Sequence, residues 1–142
     1  MELGNAMVSP MDDKERCSCS SSDVRVVACS GACNVGQIAN QAAVNLSNGG
    51  IAGFFCLAAV AAHIEAMVKA AREAELMISI DGCPMRCAAR TLQHLQIDPA
   101  IQIIVTELGI EKTQELAIDR AICSRVVERV KEKLHESWGQ TG

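Results

Sequence analysis

The sequence predicts a three-layer α/β fold, a mostly parallel four-stranded sheet with helices on both faces. Three observations carry that expectation. Short β-branched or apolar runs alternate with helical patterns along the chain. The runs are apolar at consecutive positions, as strands of a parallel sheet covered on both sides are. The 142 residues are 49% apolar but only 2% aromatic, so the core must be built from Ala, Val, Ile and Leu, in closely packed helices and strands. Alternation of strand and helix implies right-handed crossover units. The expected strand order is 2-1-3-4, with strand 1 between strands 2 and 3, a Rossmann- or flavodoxin-like arrangement.

Each element has its own signal. Residues 1–22, "MELGNAMVSPMDDKERCSCSSS", are polar, charged and serine-rich with no sustained period, and read as a flexible tail ahead of one folded domain, 23–142. "VRVVA" (24–28) reads as the first strand. Val35, Ile38, Ala39, Ala42, Ala43 and Leu46 recur at helical spacing, and Asn48, Gly49 and Gly50 stop that helix. "IAGFFC" (51–56) reads as a second strand, and Val60, Ile64, Met67, Val68 and Ala71 mark the helix after it. "ELMISI" (75–80) is a third strand, followed by a helix carrying Ala88, Leu92 and Leu95. "IQIIVT" (101–106) is a fourth, and a long helix is expected from about Thr113 to His135.

The bulk numbers narrow the function. A domain of this size buries roughly 68% of the surface its unfolded chain exposes, so it does not need a metal or disulfides merely to fold. A net charge of −4 leaves no basic field for nucleic acid, and the scarcity of aromatics leaves no stacking platform for single strands. The most apolar stretch, 51–62, is shorter than the roughly 20 residues a membrane span needs. The N-terminus lacks the basic start and apolar core of a secretory signal. The expected location is the cytoplasm, where thiols stay reduced. Eight cysteines there point to metal binding, thiol chemistry or simple burial rather than to a disulfide framework.

Spacing chooses among these. Cys29, Cys56 and Cys83 fall at the ends of strands 1, 2 and 3, which emerge on one edge of a parallel sheet. Cys33 and Cys87 each lie four residues beyond a partner, in the first turn of a helix, and the two C-x3-C pairs stand 54 residues apart. Five thiols thus converge at the edge where open α/β sheets bind ligands. A free thiol with a pKa of about 8.5 is mostly protonated at neutral pH. Helix N-termini favour the thiolate by only about 0.3–1 kcal/mol each. A divalent cation supplies what is missing by displacing the protons and binding the thiolates. Four sulfurs in tetrahedral geometry suit zinc, or alternatively an iron-sulfur cluster. Burial as small hydrophobes explains Cys123, inside the last helix, better than it explains two matched turns containing Gly31, Gly82 and Pro84. Cys17 and Cys19, in the tail, are expected to have no ordered role, with metal capture or redox capping as the alternative.

The stretches "CSGACNVGQIANQAA", "CLAAVAAHI" and "DGCPMRCAART" resemble the DGC domain family of proposed zinc-binding proteins, named for the motif present here as Asp81, Gly82 and Cys83. The resemblance runs from about Val24 to "VTELGIEK" (105–112). It implies four potential chelating cysteines, carried motif by motif onto Cys29, Cys56, Cys83 and Cys87, and no established biochemical activity. Cys33 departs from the family, which often has a small residue there, and stands as a fifth, exchangeable ligand or a small neighbour.

Other residues have plainer readings beside functional ones. Asp81 is either a hydrogen-bond acceptor for the Cys83 loop or an ordinary strand-ending residue. His63 is expected on a helix surface or behind the ligands rather than among them. Asn34, Gln37, Asn40 and Gln41 are expected on the solvent face of their helix, with a rim of amides as the functional reading. Arg86 and Arg90 could meet an anion, and Glu107 is a distant ligand candidate. Against a thiol phosphatase or arsenate reductase stands the lack of a C-x5-R loop: Val35, Ala62 and Ala89 occupy the sixth position after Cys29, Cys56 and Cys83. Cys123 has Arg129 at that distance, but in a helix. A dithiol redox enzyme remains the alternative, because C-x3-C pairs at helix N-termini could cycle to disulfides. The expected partner is a metal ion, without nucleic acid or membrane; the sequence names no protein partner and no substrate.

Overall fold

A computed structural model describes residues 23–140. The polar segment before Asp23, with Cys17 and Cys19, lies outside the described residues. The elements run β1 (Val24–Ala28), α1 (Asn34–Asn48), β2 (Gly53–Phe54), α2 (Leu57–Ala61), α3 (Glu65–Glu73), β3 (Leu76–Asp81), α4 (Cys87–His94), β4 (Ile101–Ile104), a 3-10 turn (Val105–Leu108) and α5 (Arg120–Gly139). The four strands form one sheet in the order β2-β1-β3-β4, the order expected from the sequence. Every pairing is parallel.

Alternation along the strands divides the core into two layers. Val24, Val26 and Ala28 of β1 join Ile78 and Ile80 of β3 against α1 and α5, together with Ile38, Leu46, Val126 and Val130. Val27 and Met77 face the other way, against Val60, Val68 and Leu92 of α2, α3 and α4. The helical stripe from Val35 to Leu46 is buried at every position that the periodicity marks. Full burial of a side chain such as Ile38 or Leu46 contributes roughly 1.5–3 kcal/mol, so this face alone anchors α1 to the sheet.

Four element boundaries differ from the sequence reading, each for a local reason. β2 is shorter than 51–56 because the amides of Ile51 and Ala52 both donate to Leu46 O, closing α1 instead of joining the sheet. The helix expected from Val60 to Ala71 is two helices, broken at His63, whose φ is +57°. β4 stops at Ile104, after which Thr106 N donates to Gly82 O and the chain turns toward the loop after β3. α5 begins at Arg120 rather than near Thr113, because the Asp119 carboxylate caps it, accepting from Ala121 N at 2.8 Å. No helix among the described residues is long and apolar enough to cross a membrane.

Candidate metal centre

The parallel sheet delivers three loops to its carboxyl edge, and the five cysteines singled out by spacing sit on them. Cys29 follows β1 directly and extends its ladder by donating from its amide to Ile80 O. Cys33 is the residue that caps the start of α1, in extended conformation. Cys56 occupies the same position before α2. Cys83 lies two residues beyond β3, in a tight turn closed by Arg86 N donating to Cys83 O at 3.0 Å. Cys87 is the first residue of α4. Cys29, Cys33 and Cys83 are half-buried, while Cys56 and Cys87 are exposed.

The Asp-Gly-Cys motif divides three tasks among three neighbours. Asp81 lies on the α4 side of the sheet, 2% exposed, and its carboxylate accepts from Ala88 N at 2.7 Å and Ala89 N at 3.1 Å. It therefore satisfies two of the unpaired amides that begin α4, although it precedes the helix by six residues. The ordinary capping position is taken by Arg86, held in the left-handed region at φ +53°. Burial pushes the Asp81 carboxyl up, opposed by the two amides and by the Arg86 guanidinium. Gly82 lets the first turn of α1 come close: a Cβ there would stand 2.7 Å from Gly36 N and 2.8 Å from Val35 C. Gly36 in turn presses on the first loop, where its own Cβ would meet Gly31 N and O at 2.8 Å. The two cysteine loops are thus locked together through glycine contacts, and Cys83 is left to present its thiol.

Several donors surround these sulfurs. Gly31 N donates to Cys29 Sγ at 3.3 Å. Burial pushes the Cys29 thiol up; the amides of Gly31 and Gly82 pull it down, and Cys87 and Asp81 push it up again through their charge. The Lys112 ammonium donates to Cys83 Sγ at 3.5 Å. Lys112 is placed by the segment after β4, which Asn34 clasps with three hydrogen bonds: Asn34 Nδ2 to Glu111 O at 2.8 Å, Thr113 N to Asn34 Oδ1 at 2.7 Å, and Asn34 N to Thr113 O at 3.1 Å.

The remaining residues weighed in the sequence take definite places. Asn34 and Gln37 are neither a free solvent face nor a rim: Gln37 Nε2 donates to Ser30 O and Gly31 O, bracing the first cysteine loop. Arg86 donates to Gln102 Oε1. His63 sits between α2 and α3 with its ring 5.7 Å from that of His94, edge to face. Glu107 is exposed in the 3-10 turn. Cys123 is wholly buried in α5, its thiol pushed up by burial and by Asp119. Lys112 was the residue that sequence reasoning passed over. By residue type the stretch "ELGIEK" offers Glu107 as its ligand candidate, and nothing local marks a lysine whose partner, Cys83, lies 29 residues away. As a donor set, thiols with amides on Cys29 and an ammonium on Cys83 suit a soft or borderline metal. Among the described residues, no three Cys, His, Asp or Glu side chains are grouped as a ready-made metal cage.

Fold and site together define a class, a parallel α/β protein with cysteine-bearing turns along one sheet edge. The chain belongs to the DGC domain family, whose model matches residues 25–130. It is similar to a protein of Pseudomonas aeruginosa described as anaerobic and virulence modulator AnvM, with 33% identity over 87 residues. That match covers 61% of this chain and 66% of the relative, so just under two-thirds of the relative's length is spanned. No solved structure matches the chain.

Proposed function

We propose that this chain is a cytoplasmic metal-binding protein that holds one zinc ion through cysteine thiolates at the carboxyl edge of its sheet. The ligands are Cys29, Cys56, Cys83 and Cys87, with Cys33 as an exchangeable fifth. The observation that carries the reading is the set of positive dipoles and charge directed at the sulfurs: amides on Cys29 and the Lys112 ammonium on Cys83. Such donors complement the negative charge of a sulfur bound to a metal. The burial of Cys29 works against free thiolate there, which leaves displacement of the proton by a cation as the route to charge. Zinc itself would supply a fixed local positive charge; this chain's residues hold the sulfurs, shape the turns and limit water around Cys29. The relative's description as an anaerobic and virulence modulator supports a regulatory use of such a centre rather than turnover of a substrate.

The test is the zinc content of full-length protein and its single cysteine variants, each purified without added metal. The wild type should carry about one zinc per chain. Cys29→Ser, Cys56→Ser, Cys83→Ser and Cys87→Ser should each lose most of it, and Cys33→Ser and Cys123→Ser should keep it. Equal retention by Cys83→Ser and Cys123→Ser would sink the ligand assignment.

A further inference from the structure

We infer that Lys112 belongs to the thiolate centre as its counter-charge, and that Asn34 is the residue that positions it. This rests on the metal reading above and adds a determinant that no cysteine motif contains. The geometry is specific. Lys112 is an exposed residue, yet its ammonium lies 3.5 Å from Cys83 Sγ. The neighbours on either side of it, Glu111 and Thr113, are the two residues gripped by Asn34. Asn34 immediately follows Cys33, so the clasp joins the first cysteine loop to the segment that covers the third. The base of that segment is held independently: Arg125 Nη2 donates to Leu108 O at 2.9 Å, and Thr106 N donates to Gly82 O at 3.2 Å. A lysine fastened at both flanks keeps its charge beside one sulfur at a smaller entropic cost than a lysine on a loose loop.

The consequence concerns how firmly metal is kept. A divalent ion held by four thiolates carries excess negative charge, and its sulfurs stay open to protonation or to attack by a competing electrophile. An N–H donor on Cys83 drains charge from that sulfur and neutralises part of the excess. Lys112 would therefore help keep a metal bound through Cys83, without being a ligand.

The experiment follows zinc transfer from the full-length zinc-loaded protein to the chromogenic chelator 4-(2-pyridylazo)resorcinol. Lys112→Met should speed transfer about tenfold, the scale of one hydrogen bond to a charged group. Lys112→Arg should stay near wild type, and Asn34→Ala should fall between. Lys131→Met, which removes the same charge from α5 beside Glu128, should leave the rate unchanged. The Lys112→Met effect should also shrink toward 1 M salt, where screening acts within about 3 Å. A Lys112→Met rate equal to wild type, or equal to Lys131→Met, would overturn the inference while leaving the zinc site standing. A wild type that takes up no zinc would overturn the metal reading and this inference with it.

Discussion

At Gly82 a methyl group in place of one hydrogen would lie inside the van der Waals radius of the Gly36 amide and the Val35 carbonyl carbon. The atoms it would meet are backbone, at the start of a helix whose buried stripe fixes it to the sheet, so they cannot swing aside. Overpacking of this kind costs about 1–3 kcal/mol. Gly82→Ala should lower the midpoint of urea unfolding accordingly, and an unchanged midpoint would contradict the proposed contact between the loops. Residue by residue, the cysteines were legible because their spacing alone ties them to strand ends. The glycines were legible only as turn formers. Their stronger role, close approach between two loops distant in sequence, depends on the packing of α1 across β3, which no local pattern encodes. Asn34 and Lys112 were opaque for the same reason: their partners lie far along the chain.

The clearest case at the scale of an element is α4. It is eight residues long, too short to be stable by propensity alone, and its first turn is capped from the preceding strand rather than by the residue before it. Losing an acceptor that serves two buried amides costs about 2 kcal/mol, since both donors are then orphaned. Asp81→Ala should therefore raise the hydrogen-exchange rates of the Ala88 and Ala89 amides far more than those of α1; uniform change across both helices would refute the local cap. Amphipathic helices were read well wherever a long apolar stripe faced the sheet, as from Val35 to Leu46. Boundaries failed where long-range hydrogen bonds decide them. Thr113 is taken by Asn34, which keeps it out of α5, and Ile51 closes α1 instead of pairing with β1. The break at His63 carries no glycine or proline to announce it.

For the whole molecule, the parallel sheet follows from the alternation of strands and helices; the order β2-β1-β3-β4 agrees with the doubly wound arrangement expected, although alternation and crossover handedness alone do not dictate it, and the two apolar layers match the alternation within β1 and β3. Both layers are built from buried apolar side chains, with Cys29, Cys33 and Cys83 only at the margin of one of them. Chelation of zinc should thus leave far-ultraviolet circular dichroism nearly unchanged while hydrogen exchange rises in the loops that carry Cys29, Cys56 and Cys83. Collapse of the helical signal on chelation would mean that the metal holds the fold rather than only its edge.

The central claim is that the sulfurs at that edge hold zinc. The measurement that tests it most directly is elemental analysis of the native full-length protein, purified without an affinity-tag metal, together with its visible absorption spectrum. The account predicts about one zinc per chain and a colourless sample. Iron with sulfide and a brown sample, or no metal and five freely titrating thiols at the sheet edge, would contradict it.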